Sequence, residues 1–280
     1  MNPNLLILAG FLYGLTVIIL KKIVSKKYHS TSYTTVIYCS YALFSFPLLF
    51  IDFHISTTIG PWLLVLASTI IYSISTAFSF KAYKIMDAST MSIISRLNIV
   101  FAALLGILFL KELYVGKSYI GLAFIFISAL LLTYEGKSLK MNAGSIYVIV
   151  QSLLSALAAL LDKLILLSFS SYTYVFINNF LVGSLFLLKK ETKKEFVPIV
   201  KKNFWLIILT SIFGVVGWTI FLFVLKSTDV SRTIPIYKSI VLFTPVVLGI
   251  LLLKETKNLW QKMLGLTLGI IGIVFLTSPV

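Results

Sequence analysis

The sequence predicts an all-α polytopic membrane protein, with ten transmembrane helices arranged as two inverted five-helix repeats. Three observations carry that expectation. The 280 residues are 59% hydrophobic and only 12% charged, with a mean hydropathy of +1.03, which leaves too little polar surface for a soluble domain of this size. Crossing a hydrocarbon core takes about 20 apolar residues, and ten such runs follow one another with short connections. The stretch Asp87–Glu112, DASTMSIISRLNIVFAALLGILFLKE, is also written a second time, from Asp229, as DVSRTIPIYKSIVLFTPVVLGILLLKE. Between Leu105–Glu112 and Leu248–Glu255 only Phe109 against Leu252 differs.

The first run, near residues 4–20, has no Lys or Arg before it and no small-residue cleavage site before Lys21. It reads as a permanent helix, not a cleaved signal. The second (33–51) holds Cys39, the single cysteine, so neither a disulfide framework nor a metal site is expected. The third (61–80) carries Ser68, Tyr72, Ser75, Thr76 and Ser79 on one helical face, a stripe suited to a wetted cavity or to interhelical hydrogen bonds. The fourth (89–110) carries Arg96 and Asn98, and the fifth (116–134) is glycine-bearing.

The sixth run (144–161) restates the first: Leu154–Leu164 aligns with Tyr13–Ile23, with Lys163 standing for Lys22. Because five is odd, the second copy enters the membrane from the opposite side, the inverted plan of many secondary transporters. The two copies are assigned to residues 1–137 and 138–280. Gln151, Ser155 and Asp162 share a face of the sixth helix. Asp162 reads as a proton-coupling carboxylate, a counter-ion to Lys238, or a boundary residue beside Lys163; its place at a helix end favours the last. The seventh run (171–188) holds Asn178 and Asn179, amides that hydrocarbon penalises unless partnered.

The longest connection, the basic segment Lys189–Asn203, reads as a loop. The eighth run (204–225) sets Thr210, Gly214, Gly217 and Trp218 on one side. Trp218 lies away from the interfacial aromatic belts, as a wall for substrate or a packing residue. The ninth (231–253) carries Tyr237 and Lys238 between Pro235 and Pro245, whose missing backbone donors mark hinge points. The tenth (259–277) contains Gly265-x-x-x-Gly269. Like Gly10-x-x-x-Gly14, it has the spacing for close helix contact, and it is also a candidate dimer face.

An ionisable side chain inside a membrane is costly enough to mark function. Arg96 and Lys238 lie roughly 10 and 12 Å into their runs at about 1.5 Å per residue. Inverted repeats bring them in from opposite faces of a core about 30 Å thick, close enough for both to hold one anionic group. The repeats place the two cations one residue out of register, which leaves open whether they face the same cavity. Lys111-Glu112 and Lys254-Glu255 read as interfacial pairs, and His29 and His54 as solvated loop residues. No phosphate-binding loop occurs, so the chain does not itself hydrolyse ATP. No Ser/His, His/Glu or paired-Asp constellation points to an enzyme.

Ten helices in five-plus-five form, with each half closing on L-G-I-L-[FL]-L-K-E and a glycine-bearing last helix (Gly116, Gly121; Gly265, Gly269, Gly272), resemble the drug/metabolite transporter superfamily, and within it the EamA-type transporters. Tyr13-Gly14 matches the aromatic-Gly pair of the first helix in such chains; Leu154-Ser155 departs from it in the sixth. The resemblance implies a multi-pass protein of the cell membrane that moves a small polar metabolite by alternating access. It also implies cations on the fourth and ninth helices, as in members that carry phosphorylated sugars. The expected function is secondary-active export or exchange of an amino acid or another anionic or amphoteric compound. The alternatives are phosphorylated-metabolite exchange and a non-transporting scaffold or lipid-handling protein. Candidate cavity residues are Tyr13, Tyr72, Ser75, Ser79, Arg96, Asn98, Gln151, Asn178, Trp218, Tyr237 and Lys238, with Asp162 as the proton-coupling candidate. Expected partners are the substrate, the bilayer and a coupling ion such as a proton, in a monomer or homodimer; no cofactor, metal or nucleic acid is expected.

The net charge of +15 sits mostly between the apolar runs, where it fits anionic headgroups and topology signals better than nucleic acid. The first, third, fifth, seventh and ninth connections hold 17 Lys and Arg and the others five. The positive-inside rule then puts both termini outside. The resemblance implies the reverse, and the charge asymmetry, more than threefold, is given the greater weight.

Overall fold

The computed structural model describes residues 3–24, 27–85, 91, 94–112, 116–133, 143–253 and 259–277. Among the described residues lie ten α-helices and one short 3-10 helix, without strands. The first half comprises α1 (Pro3–Ile23), α2 (Ser30–Ser45, extended by the 3-10 helix Phe46–Phe50), α3 (Ile59–Ile85), α4 (Leu97–Leu110) and α5 (Gly116–Thr133). The second comprises α6 (Ala143–Ile165), α7 (Ser171–Leu185), α8 (Lys190–Lys226), α9 (Val230–Leu253) and α10 (Leu259–Thr277). Six helices, α1, α2 with its extension, α3, α6, α8 and α10, are long and apolar enough to cross a membrane; α4 and α5 are apolar but shorter. The boundary at 137/138 and the pair Lys254-Glu255 lie outside the described residues.

Polarity is inverted relative to a soluble protein. Leu43, Phe50, Leu108 and Leu188 stand exposed on the outside, while Ser68, Thr34, Asn178 and Asp162 are buried. In lipid the outer surface needs no polar cover, and polar groups must find partners inside.

Packing follows the repeat. With α1–α5 set against α6–α10, the contact of α1 with α8 is matched by that of α6 with α3, and α1 with α9 by α6 with α4. Three helices meet their own counterparts: α2 with α7, α4 with α9 and α5 with α10. A pseudo-two-fold axis therefore passes between those pairs, as expected for inverted repeats.

Small residues set the closest of these contacts. A Cβ on Gly121 would lie 2.8 Å from the Gly272 carbonyl oxygen, and one on Gly272 at 2.8 Å from that of Gly121, so α5 and α10 touch backbone to backbone. Gly10 and Gly14 pack on Ile240 and Thr244 of α9. Gly265 and Gly269 pack on Leu132, Ser128 and Phe243. Their spacing is thus used for close packing within the chain.

Two further expectations change. The segment Lys189–Asn203 is almost entirely helical and not a loop. At about 1.5 Å per residue, the 37 residues of α8 would run to roughly 55 Å, far beyond a hydrocarbon core of about 30 Å. The helix bends at Asn203 (φ −122°, ψ 23°), whose amide donates to the Ile199 carbonyl. Before the bend, Lys190, Lys193, Lys194, Lys201 and Lys202 are exposed while Thr192 and Ile199 are buried, the pattern of a helix lying along the membrane surface. His29 is not simply solvated: its backbone N–H and ring Nδ1 meet the Glu195 carboxylate at 2.7 and 2.8 Å, tying α2 to this surface helix.

Glu112 is likewise no interfacial ion pair. Its two oxygens accept the backbone N–H groups of Val230 (2.7 Å) and Ser231 (2.8 Å) at the start of α9. There a carboxylate satisfies orphan donors and meets the positive end of the helix dipole. Gly106 leaves room for that carboxylate, since a Cβ at this position would run into Glu112 and Ser231. Lys111 just before it takes a left-handed conformation (φ 53°), which ends α4 and turns the chain towards α9.

Candidate functional site

A cavity enters between the two halves and reaches the middle of the molecule. Its outer lobe holds about 1270 Å³ of space, including its open mouth, and is lined towards one end by Val17, Leu20, Ser79, Tyr83, Met91, Arg96 and Gln151. These residues lie near the ends of α1 and α3 and the starts of α4 and α6, the face that carries the lysine-rich connections. The inner lobe shares Tyr13, Tyr38, Tyr41, Tyr72, Asn98, Ser155 and Lys238 with the outer one, and adds Asn179, Trp218, Phe221, Ile234 and Tyr237.

Each wall has a local cause. The stripe on α3 brings Tyr72, Ser75, Thr76 and Ser79 to one side of the cavity. Arg96 occupies a turn at the head of α4, so it stands at a helix start and not inside an unbroken helix. Lys238 extends from α9 between its two prolines, with its ammonium 5.9 Å from the centre of the Tyr237 ring. Both cations line the same outer lobe despite their one-residue shift in register. Their helices cross the axis as a pair, and long side chains absorb the offset.

The inner lobe is aromatic. Phe221 stacks on Tyr237 with centroids 4.3 Å apart, Tyr13 lies 5.9 Å from Tyr237, and Tyr72 lies edge-on to Trp218 at 5.8 Å. Among these rings sit amides with spare bonding capacity. Asn98 donates through Nδ2 to the Ser152 carbonyl at 2.9 Å, but its Oδ1 has no partner. Neither Oδ1 nor Nδ2 of the fully buried Asn179 has one. Buried polar atoms are paired in the great majority of cases, so these are prepared to bond whatever enters. With two cations and no carboxylate among its described lining residues, the cavity suits an anionic group beside a body that tolerates aromatic walls.

Of the sequence candidates, Tyr13, Tyr72, Ser75, Ser79, Arg96, Asn98, Gln151, Trp218, Tyr237 and Lys238 all line this cavity. Asn178 does not: it faces away and donates to Tyr174 at 3.2 Å, while its neighbour Asn179 reaches the cavity. Asp162 is neither a solvated boundary residue nor a partner of Lys238. It is fully buried below the inner lobe, where Tyr72 and Tyr174 donate to it at 2.5 Å each and Ser68 at 3.4 Å. Lys163 turns the other way and donates to the carbonyls of Leu225, Lys226 and Thr228 at the end of α8. Sequence reasoning missed Tyr38, Tyr41 and Tyr83, although Tyr38 and Tyr41 lie mid-run, away from the aromatic belts, as Trp218 does.

Comparison with known proteins agrees with this architecture. The model of the EamA-like transporter family matches residues 4–134 and again 142–278. No curated protein matches. Among solved structures 28 chains match. One, a crystal structure of a protein, aligns with a TM-score of 0.75 over 98% of this chain and 95% of that one at 10% identity, a likeness of fold alone. With two tandem matches over nearly its whole length, the chain belongs to the EamA-like transporter family and is a multi-pass membrane transporter of small molecules.

Proposed function

We propose that the chain is a secondary-active exporter or exchanger of a small anionic or amphoteric metabolite, with amino acids as the favoured class, working by alternating access between residues 1–137 and 138–280. The observation that carries this is the cavity between the halves, in which Arg96 and Lys238 share a lobe beside the unpartnered amides of Asn98 and Asn179. Two cations receive a carboxylate. Free amide oxygens accept the N–H groups of an ammonium. The aromatic rings exclude water around the rest. Among the described residues the cavity's lining runs out towards one face, as one half of an alternating-access cycle would.

Substrate identity is reached through thermal stabilisation of the purified protein by a metabolite panel, since a ligand of the folded state raises the melting temperature by mass action. With a hit in hand, Arg96→Ala and Lys238→Ala are each expected to lower uptake into proteoliposomes about tenfold or more, the usual loss when a hydrogen bond to a charged group is removed. Unchanged transport in both variants overturns the reading. Two cations with no carboxylate among the described lining residues also favour a doubly charged phosphoryl group. A panel in which only phosphorylated compounds stabilise the protein would select that class.

A further inference from the structure

Opposite the cavity mouth the described residues around Leu166, Phe169 and Tyr174 are closely packed, and a carboxylate is buried among them. Asp162 projects from α6 and is fully buried, with no ion pair among the described residues. Its Oδ1 accepts from Tyr174 and Ser68, and its Oδ2 from Tyr72. Tyr174 Oη already accepts from Asn178, which leaves its own proton for the acid. Ser68 also lies 2.9 Å from Tyr174 Oη and shares its one proton between that oxygen and the acid, so the two tyrosine hydroxyls are the ones arranged for an ionised carboxylate, which only accepts. Ser68 and Tyr72 belong to α3 in the first repeat, while Tyr174 and Asp162 belong to the second, so the cluster ties the halves together.

Tyr72 gives the cluster a second property. Its ring lines both lobes of the cavity while its hydroxyl bonds Asp162, so the buried acid stands one hydroxyl away from the substrate space. We propose that Asp162 is a proton-binding site whose ionised form latches the sealed face, and that a proton reaching it from the cavity past Tyr72 releases that face. The chemistry is one proton added and no other bond changed. The new O–H needs an acceptor, so one hydroxyl, Tyr72 being the one without a further partner in the cluster, must turn from donor to acceptor. The remaining bonds lose their charge assistance and roughly half their strength.

The groups around the acid leave the proton no competing counter-ion. Titratable neighbours are Tyr72 from α3, Tyr174 from α7 and, further off, Tyr38 from α2. From α8 comes Trp218, against the rings of Tyr72 and Tyr174. The ionisable groups that α4 and α9 contribute at mid-molecule, Arg96 and Lys238, line the cavity instead. Lys163 is occupied by the carbonyls at the end of α8. The inference rests on the alternating-access reading but needs no substrate for its test.

In a Cys39→Ser background, Leu166→Cys places a thiol just beyond Asp162, at a fully buried position on the sealed side. Labelling by a membrane-impermeant maleimide from that side is measured in proteoliposomes against pH. Rates are normalised to Thr57→Cys, an exposed position on the same face, to remove the intrinsic pH dependence of the thiol. Labelling is expected to be about tenfold faster at acid than at alkaline pH, the factor that follows from weakening two charge-assisted bonds. Asp162→Asn should label at the fast rate at every pH, and Asp162→Glu should keep the dependence, which guards against simple misfolding. A pH-independent rate with Asp162 present, or an Asp162→Asn variant that keeps the full dependence, overturns the latch. Loss of transport in the Arg96 and Lys238 variants alongside a flat labelling profile would overturn the latch while leaving the transport reading intact.

Discussion

At the residue scale, the cavity separates groups that hold the fold from groups that await a ligand. Asn98 does both, spending its Nδ2 on the Ser152 carbonyl and keeping Oδ1 free. Asn179 spends nothing on the protein. An unpaired buried polar group costs about 1–3 kcal/mol, so Asn179→Ala should leave the melting temperature level or raise it. At this chain length the rise would be about 2–4 °C per kcal/mol. Transport should fall about tenfold if the amide bonds substrate. A variant that is both less stable and fully active would show that Asn179 is a packing residue. Side chains announced themselves in the sequence to the degree that hydrocarbon penalises them: Arg96, Lys238 and the amides were legible for that reason. Tyr38 and Tyr41 were not, because a tyrosine is tolerated at many depths and only packing aims its hydroxyl. Asp162 was visible as an anomaly, but its proximity to Lys163 pointed to a helix boundary. Only the fold shows the lysine turning to α8 and the acid turning inward.

At the element scale, the repeated Leu-Gly-Ile-Leu-x-Leu-Lys-Glu segment has a mechanical explanation in its first copy. Gly106 gives space, Lys111 turns the chain, and Glu112 caps α9 across the boundary between halves. Glu112→Ala removes both bonds from that helix start, and a lost cap costs about 0.5–2 kcal/mol. A drop of a few degrees in melting temperature, partly restored in Glu112→Gln, is the expected result in detergent; no change would mean that the cap is redundant. The presence and start of α1, α3 and α6 were readable from hydropathy, but the helices run on to Ile23, Ile85 and Ile165, past the expected ends at 20, 80 and 161, which is why Asp162 looked like a boundary residue. The surface helix at the start of α8 was hidden, since thirteen mostly polar residues between apolar runs look like a loop until Ile199 is seen to pack. The glycine pair of α10 makes the close contact that its spacing implies, against Leu132, Ser128 and Phe243. Spacing reveals a close approach without naming the helix that makes it.

At the scale of the whole molecule, the duplicated sequence was enough to anticipate the inverted architecture, because an odd number of crossings fixes the sense of the second copy. What it left open is which end of the cavity stands open. The lining residues give the answer, with the mouth on the face of the Lys190–Lys202 helix and the seal on the face of Asp52 and Ser170, where Ser170 donates to the Asp52 carbonyl at 2.8 Å. In a Cys39→Ser background, Ser79→Cys should therefore react with an impermeant maleimide from the lysine-rich face and not from the other. Equal labelling from both faces would contradict a sealed resting state.

The pairing of Arg96 and Lys238 with no carboxylate among the described lining residues has an electrical consequence as well. A carrier that turns its cavity from one side to the other moves that fixed positive charge through part of the membrane field. In the proposed cycle with an anionic substrate, the loaded carrier would move less charge, by the charge of the anion it holds. Each elementary charge carried across the full potential is worth about 2.3 kcal/mol per 100 mV. In that proposed cycle the voltage would act differently on the empty and the filled return strokes, and the resting membrane potential would help to determine which stroke limits it.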